Sequence, residues 1–297
     1  MRKNDLVWFI LMVFAMVFWG SGWAVGKLAT TQASAEVLGF YRYLFTALSF
    51  SFIFIFYKKR FYLNKKIVVL LLIGSVATTL FNIFFFKALE DGDSGAGGAL
   101  VTTLAPIITF LYTLFIVKAQ VTFLQKLAIA IGAFGGFLML GLWDLQTSFI
   151  FQTSNIYFFF AALSWAAATV TASYAKDSVD PFYYTFFVFV IVTFLSYLFA
   201  AGQNPFDIAD FGFYFWFGTL FLGVLAGGFA TGIFFIASSK LGASKAGVFM
   251  FMVPVSSMVT SYFVFSEIPK ISFLIGAILS IFAITIYHFS SPKQKSV

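Results

Sequence analysis

The chain is a succession of ten apolar runs, at 6–29, 36–57, 67–88, 94–117, 123–142, 155–175, 181–201, 212–237, 243–265 and 270–289, joined by short connections. A helix needs about 20 largely apolar residues to cross a bilayer, and each run has that length. Barrel strands would be about 9–11 residues with alternating polarity, which these runs lack. Lipid offers no partner to an unpaired backbone group, so runs of this kind must become helices. The expected fold is therefore an all-α membrane protein with ten transmembrane helices and no room for a soluble domain. Composition agrees: 61% of residues are hydrophobic and 10% charged, against about 25% charged in soluble domains. Most of the surface must face lipid.

Charge placement predicts orientation. With the N-terminus cytoplasmic, 14 of the 18 basic residues fall on inner segments: Arg2, Lys3, Lys58, Lys59, Arg60, Lys65, Lys66, Lys118, Lys126, Lys176, Lys240, Lys245, Lys293 and Lys295. Enrichment of Lys and Arg in cytoplasmic loops then places both termini inside, in a multi-pass protein of the cytoplasmic (inner) membrane. The net charge of +7 is scattered between apolar runs rather than gathered into a patch, which argues against a nucleic-acid partner. Arg2 and Lys3 precede an apolar run longer than the roughly 7–15 residues of a signal-peptide core, so residues 6–29 are read as a retained span. Cysteine is absent, which removes disulfides and thiolate metal sites.

The sequence also repeats. FFFKALEDGDSGAGGALVTTLAP, ending at Pro106, resembles FFIASSKLGASKAGVFMFMVP, ending at Pro254, with a two-residue slip. The halves, 1–148 and 149–297, hold five spans each. An odd number forces opposite orientations, giving two inverted five-helix repeats with a substrate site expected between them near the midplane.

Candidate residues follow from this frame. In GSGWAVG (20–26) no strand precedes the glycines, so a dinucleotide site lacks its geometry; Gly22 and Gly26 lie on one helix face, where a neighbouring backbone can approach. Pro106 and Pro254 lie inside spans, where a proline kinks or shapes a cavity. Arg42 lies inside the second span and cannot be neutralised; Glu36, the Glu90–Asp93 cluster or a substrate carboxylate is its expected partner. Lys27 and Lys87 stand near outer span ends, either as snorkelling topology residues or as part of the substrate site. Trp19, Trp23 and Trp165 bring indole N–H groups that seek acceptors, and Asn82, Thr169 and Tyr174 add polar groups within spans. The single histidine, His288, has no catalytic or metal-binding partner in the sequence. No enzyme activity, cofactor or metal is expected.

These residues resemble the drug/metabolite transporter superfamily, in particular its ten-helix EamA-like members, over nearly the whole chain. The likeness rests on WGSGWAVGKLA (19–29), GFYRYLFTA (39–47), TTLAPI (102–107), LSWAAATVTASYA (163–175) and GASKAGVFMFMVPVSSMVTSYFVFSEIPKISFLIGAIL (242–279). The resemblance implies a secondary transporter that exports small metabolites such as amino acids by alternating access. The same fold moving a lipid-linked or nucleotide sugar, and a non-transporting membrane sensor or assembly protein, are the alternatives. The family's usual glutamate after helix nine matches Glu267, a possible proton-coupling group or a structural cap; Ala119 stands where its counterpart after helix four is expected. Small-molecule substrate and membrane lipid are the implied partners, and oligomeric state is left open.

Overall fold

The computed structural model describes residues 3–56, 63–116, 118, 121–139, 153–175, 178–241, 246, 248–266, 268 and 271–290. Ala119, Glu267 and the 148/149 repeat boundary lie outside them. The first seven spans are α1 (Lys3–Thr30), α2 (Ala35–Phe56), α3 (Lys65–Asp91), α4 (Ser94–Phe115), α5 (Phe123–Met139), α6 (Thr153–Ala175) and α7 (Pro181–Ala200). The eighth is a rod of three pieces: α8 (Phe213–Leu220), a π-helical stretch (Phe221–Thr231) and α9 (Gly232–Leu241). The ninth joins a 3₁₀ turn (Phe249–Met252) to α10 (Val253–Phe265), and the tenth is α11 (Ile271–Ser290). No strand occurs among the described residues.

Local chemistry sets several of the helix ends. Asn64 Oδ1 accepts from the Ile67 N–H at 2.9 Å to open α3, and Asp180 Oδ1 accepts from the Phe182 N–H at 3.0 Å to open α7, with Pro181 in its first turn. Thr122 and Gln125 cap α5 reciprocally: the Gln125 N–H donates to Thr122 Oγ1 at 3.2 Å and the Thr122 N–H to Gln125 Oε1 at 2.9 Å. Each cap satisfies donors that a helix start leaves without partners. Ser266 ends α10 with φ 57°.

Five helices are long and apolar enough to cross a membrane: Val7–Thr30, Lys65–Asp91, Thr153–Ala175, Pro181–Gln203 and Phe213–Ala237. Shorter apolar helices, such as Phe123–Met139 and Ile271–Tyr287, complete the bundle. Large apolar side chains such as Phe52, Phe123, Phe194, Phe263 and Ile278 are exposed. In a soluble protein they would be an aggregation hazard; here they form the face turned to lipid.

Helix contacts follow a two-fold exchange of the halves, in which each span maps onto the one five further along. Span two packs on seven, four on nine and five on ten, each pair mapping onto itself. Span one packs on eight as six packs on three, one on nine as six on four, and two on eight as seven on three. The inverted repeat is thus built into the packing, with spans one to four and six to nine surrounding a common centre.

Two expectations about local structure change. Gly22 and Gly26 do not form one backbone seam: a Cβ on Gly22 would meet Leu222 of the π stretch, and one on Gly26 would meet Phe85 and Leu89 of α3. The close backbone approach is two residues before Gly22, at Gly20, where a Cβ would lie 2.7 Å from both the Val253 carbonyl oxygen and the Ser257 nitrogen. The two prolines also differ. Pro106 lies inside α4, whereas Pro254 occupies the first turn of α10, where no intrahelical N–H is lost. The ninth span changes from 3₁₀ to α at that point instead of bending within one α-helix.

Candidate substrate-binding site

The π stretch shows how the centre is assembled. A π turn is wider than an α turn, and such segments concentrate at functional sites. Here its carbonyls are taken by outside donors: Thr46 Oγ1 donates to the Gly223 carbonyl at 2.9 Å and Trp19 Nε1–H to the Ala226 carbonyl at 3.0 Å. Within the stretch, Thr231 Oγ1 donates to the same Ala226 oxygen at 2.9 Å. Gly223 lets α2 approach, since a Cβ there would fall 2.8 Å from the Arg42 carbonyl oxygen. The irregular rod is therefore tied to α1 and α2, the helices that carry Trp19 and Arg42.

Between the halves lies a cavity of about 40 Å³. The first half supplies Trp19, Gly22 and Trp23 from α1, Arg42 from α2, Phe81 and Phe85 from α3, and Val101 and Thr102 from α4. The second half supplies Trp165 from α6, Leu222 and Ala226 from the π stretch, and Met250 and Val253 from the ninth span. Both repeats contribute, as expected for a site on the pseudo-two-fold axis.

Arg42 is the charge in this lining. Only 6% of it is exposed, and its guanidinium carbon lies 4.8 Å from the Phe85 ring centre, with Tyr43, Phe81 and Phe86 rings within 6 Å. Cation–π attraction holds it there. Its Nε and Nη1 are buried without a hydrogen-bond partner. Three of the carboxylates expected to meet it are engaged elsewhere: Glu36 pairs with Lys87 at 3.1 Å, Asp93 with Lys27 at 3.6 Å, and Glu90 accepts from the Ala35 N–H at 3.3 Å; Asp91 is exposed and does not line the cavity. Glu36 and Arg42 are six positions apart on α2, about 9 Å along the axis.

Trp165 is the second unfulfilled donor. It is 5% exposed, stacks on Phe235 and meets the Trp19 ring edge-on at 5.1 Å, yet its Nε1–H has no acceptor. By contrast, Trp19 has the Ala226 carbonyl, with Thr231 Oγ1 also near at 3.2 Å. The Trp23 ring lies between Phe85 and Phe158.

The other sequence candidates separate from this centre. Lys27 and Lys87 belong to ion pairs at the helix ends, outside the cavity lining. Asn82 is buried with Oδ1 unpartnered and its amide nitrogen against Gly39, but it does not line the cavity. Thr169 donates back to the Trp165 carbonyl at 2.9 Å. Tyr174 is exposed, bonds Tyr112 at 2.7 Å and does not line the cavity. Sequence reasoning missed the apolar members, among them Phe81, Phe85, Leu222 and Met250, because nothing in an apolar run distinguishes a cavity wall from core.

The halves are fastened by small hydroxyls. Ser94 and Ser261 Oγ atoms are 3.0 Å apart, Ser21 Oγ and Thr260 Oγ1 3.0 Å apart, and Ser257 Oγ donates to the Ser94 carbonyl at 3.3 Å. These join α1 and α4 of the first half to α10 of the second.

The sequence profile of the EamA-like transporter family matches twice, over residues 6–141 and 152–288. The chain belongs to the EamA-like transporter family. It is a multi-pass membrane transporter built of two copies of the family's unit. Its relatives include the uncharacterized transporter YyaM of Bacillus subtilis (strain 168), 24% identical over 281 residues, covering 93% of this chain and 92% of that one. The uncharacterized transporter YoaV of the same organism is 21% identical over 290 residues, covering 96% and 97%. A solved crystal structure superposes with a TM-score of 0.74 at 16% identity, over 97% of this chain and 99% of the other, a likeness of fold. Among the described residues, the charge that lines this chain's cavity is Arg42 on α2.

Proposed function

We propose that this EamA-family member is a secondary transporter of the cytoplasmic membrane, both termini cytoplasmic, that exports small carboxylate-bearing metabolites, amino acids among the candidates, by alternating access between its two repeats. The observation that carries this is Arg42: a buried cation in the cavity between the halves, with two N–H groups unpartnered. Leaving such donors unmade in low dielectric is costly, and a charged hydrogen bond to a carboxylate recovers the cost. The Trp165 N–H is the second donor available to the same ligand.

The cavity volume supports the cycle. About 40 Å³ accommodates a few waters, not a metabolite, whose sites run to about 300 Å³ or more. Loading therefore requires the repeats to part. The serine and threonine contacts between α10 and helices α1 and α4 are the bonds that such a movement breaks. The Lys27–Asp93 and Lys87–Glu36 pairs join helices of the first repeat to one another and travel with it as a unit. Glu267 remains a proposed proton-coupling group, and a carrier running down its substrate gradient needs none.

The test is counterflow in proteoliposomes with labelled amino acids and other small carboxylates, with and without an imposed pH gradient. Saturable counterflow of a carboxylate, lost in Arg42→Gln protein that still elutes as a folded species, supports the proposal. Unchanged flux through Arg42→Gln overturns the assignment of Arg42. Absence of flux for every carboxylate would favour the lipid-linked or nucleotide-sugar cargo instead.

A further inference from the structure

The balance of charge and hydrogen-bonding groups in the cavity narrows the substrate within that proposal, on which this inference rests. We infer that the site is built for a monoanionic carboxylate with an apolar body and no ammonium group, and discriminates against the zwitterionic amino acid of the same shape.

The cavity lining contains one cation and no acid. A monocarboxylate entering beside Arg42 makes the filled site neutral. A zwitterion satisfies the guanidinium equally well but brings a second buried cation, and the filled site keeps a net positive charge. An ammonium group needs a carboxylate or several good acceptors to leave water. Among the described residues, the nearby carboxylates of Glu36 and Asp93 already hold Lys87 and Lys27.

Aromatic faces are the remaining way to receive an ammonium group; Trp19 and Trp23 also line the cavity, but a cation on either would share the small cavity with Arg42 and be repelled by it. The Phe85 and Phe81 rings already carry the Arg42 guanidinium, and Phe235 stacks on one face of Trp165. A second cation placed there would also be repelled by the first. Orphaned donors dominate the lining: Arg42 Nε, Arg42 Nη1 and Trp165 Nε1 are all N–H groups without acceptors. Thr102 Oγ1, the hydroxyl in the lining, donates its proton to the Gly98 carbonyl and is left as one neutral acceptor, too little to take an ammonium group out of water. What the cavity lacks is acceptors in the ligand, which a carboxylate or a 2-oxo carboxylate supplies and an ammonium group does not.

The fold's symmetry excludes a dianion as well. The mate of α2 under the repeat exchange is α7, and Pro181–Ala200 contains no charged residue. A second carboxylate would find no second arginine.

The experiment is competition against counterflow of labelled 3-phenylpropanoate in proteoliposomes holding the native protein. The competitors are 2-oxo-3-phenylpropanoate, phenylalanine, phenylsuccinate and the neutral amide 3-phenylpropanamide, which share a ring and differ in charge. The expected result is half-inhibition by the 2-oxo acid at a concentration at least tenfold below that needed for phenylalanine, the dianion or the amide. Phenylalanine competing as well as the 2-oxo acid, or phenylalanine carried while 3-phenylpropanoate is not, overturns the inference and leaves the carrier proposal standing. No flux of any of these solutes also overturns it, and the carrier proposal then stands or falls with the wider carboxylate panel. Because the native protein is used throughout, misfolding of a variant cannot imitate any outcome.

Discussion

Replacing Arg42 by methionine separates a binding residue from a structural one by the sign of the stability change. In the empty carrier the guanidinium is 6% exposed with Nε and Nη1 unpartnered. At about 1–3 kcal/mol for each unmade buried bond, these donors count about 2–6 kcal/mol against the empty state. The ring contact with Phe85 at 4.8 Å returns about 2 kcal/mol when desolvated. The difference is about 0–4 kcal/mol in favour of removing the charge. Methionine keeps most of the apolar stem, so the packing loss is small. Arg42→Met is therefore expected to unfold at a higher temperature than the native protein in detergent. Stabilisation by a carboxylate ligand should fall at the same time, because the lost charge-assisted bond of about 1.5–3 kcal/mol corresponds to about ten- to hundredfold in affinity. A lower unfolding temperature together with undiminished ligand stabilisation would refute the reasoning, since Arg42 would then be a structural residue already satisfied in the empty protein.

Three further outcomes follow from the packing. Gly20→Ala is expected to destabilise by about 1–3 kcal/mol, because the new Cβ meets the α10 backbone 2.7 Å away, whereas Gly202→Ala has nothing within 4 Å and should be neutral; thermal unfolding of the pair checks this. Trp19→Phe removes the donor shared by the Ala226 carbonyl and Thr231 Oγ1 and should cost about 1 kcal/mol, read by thermal unfolding, with reduced counterflow as the π stretch loses its tie to α1. Lys87→Ala should change stability by less than about 1 kcal/mol, because Lys87 and Glu36 are both partly exposed and such pairs contribute little; a loss of several kcal/mol in a denaturation series would count against a rim role.

The bundle was legible because the bilayer imposes a length and a polarity on every span, and those are properties of sequence. Local irregularities were not. Residues 212–237 read as one smooth apolar run, yet the backbone widens to π over Phe221–Thr231, since donors from Thr46 and Trp19 reach its carbonyls. Those donors lie about 180 or more positions away in the chain, beyond any local pattern. Of the site, Arg42, Trp19, Trp23 and Trp165 were visible as polar or amphipathic groups inside apolar runs, and they converge on one cavity. Thr169 and Tyr174 carried the same signal but face elsewhere. Lys27 and Lys87 were read as span-end cations, either snorkelling or in the substrate site; they sit at helix ends, spent in ion pairs and outside the cavity lining. A sequence shows that a polar group lies in a span; which neighbour satisfies it is set by tertiary packing.

The contrast between a symmetric frame and an asymmetric site bears on how such a carrier works. The helix contacts obey the exchange of repeats, so the inward- and outward-open arrangements can be near mirror states of similar energy. The cation does not obey it: Arg42 belongs to α2, and its mate α7 is uncharged. A ligand whose head is bound to Arg42 is therefore attached to one repeat, while Trp165, Leu222 and Met250 of the other offer one neutral N–H donor and no charge to grip it. In the proposed cycle, when the repeats rock, the charged head keeps its charge-assisted bonds with the first repeat, and only the neutral Trp165 bond and non-directional contacts are exchanged along the second. Non-directional contacts tolerate sliding at little cost, whereas breaking a desolvated ion pair in mid-transit would raise a barrier of several kcal/mol. In the proposed cycle, placing the cavity's charge in one repeat thus lets the cavity change the side to which it opens without releasing its hold on a carboxylate ligand.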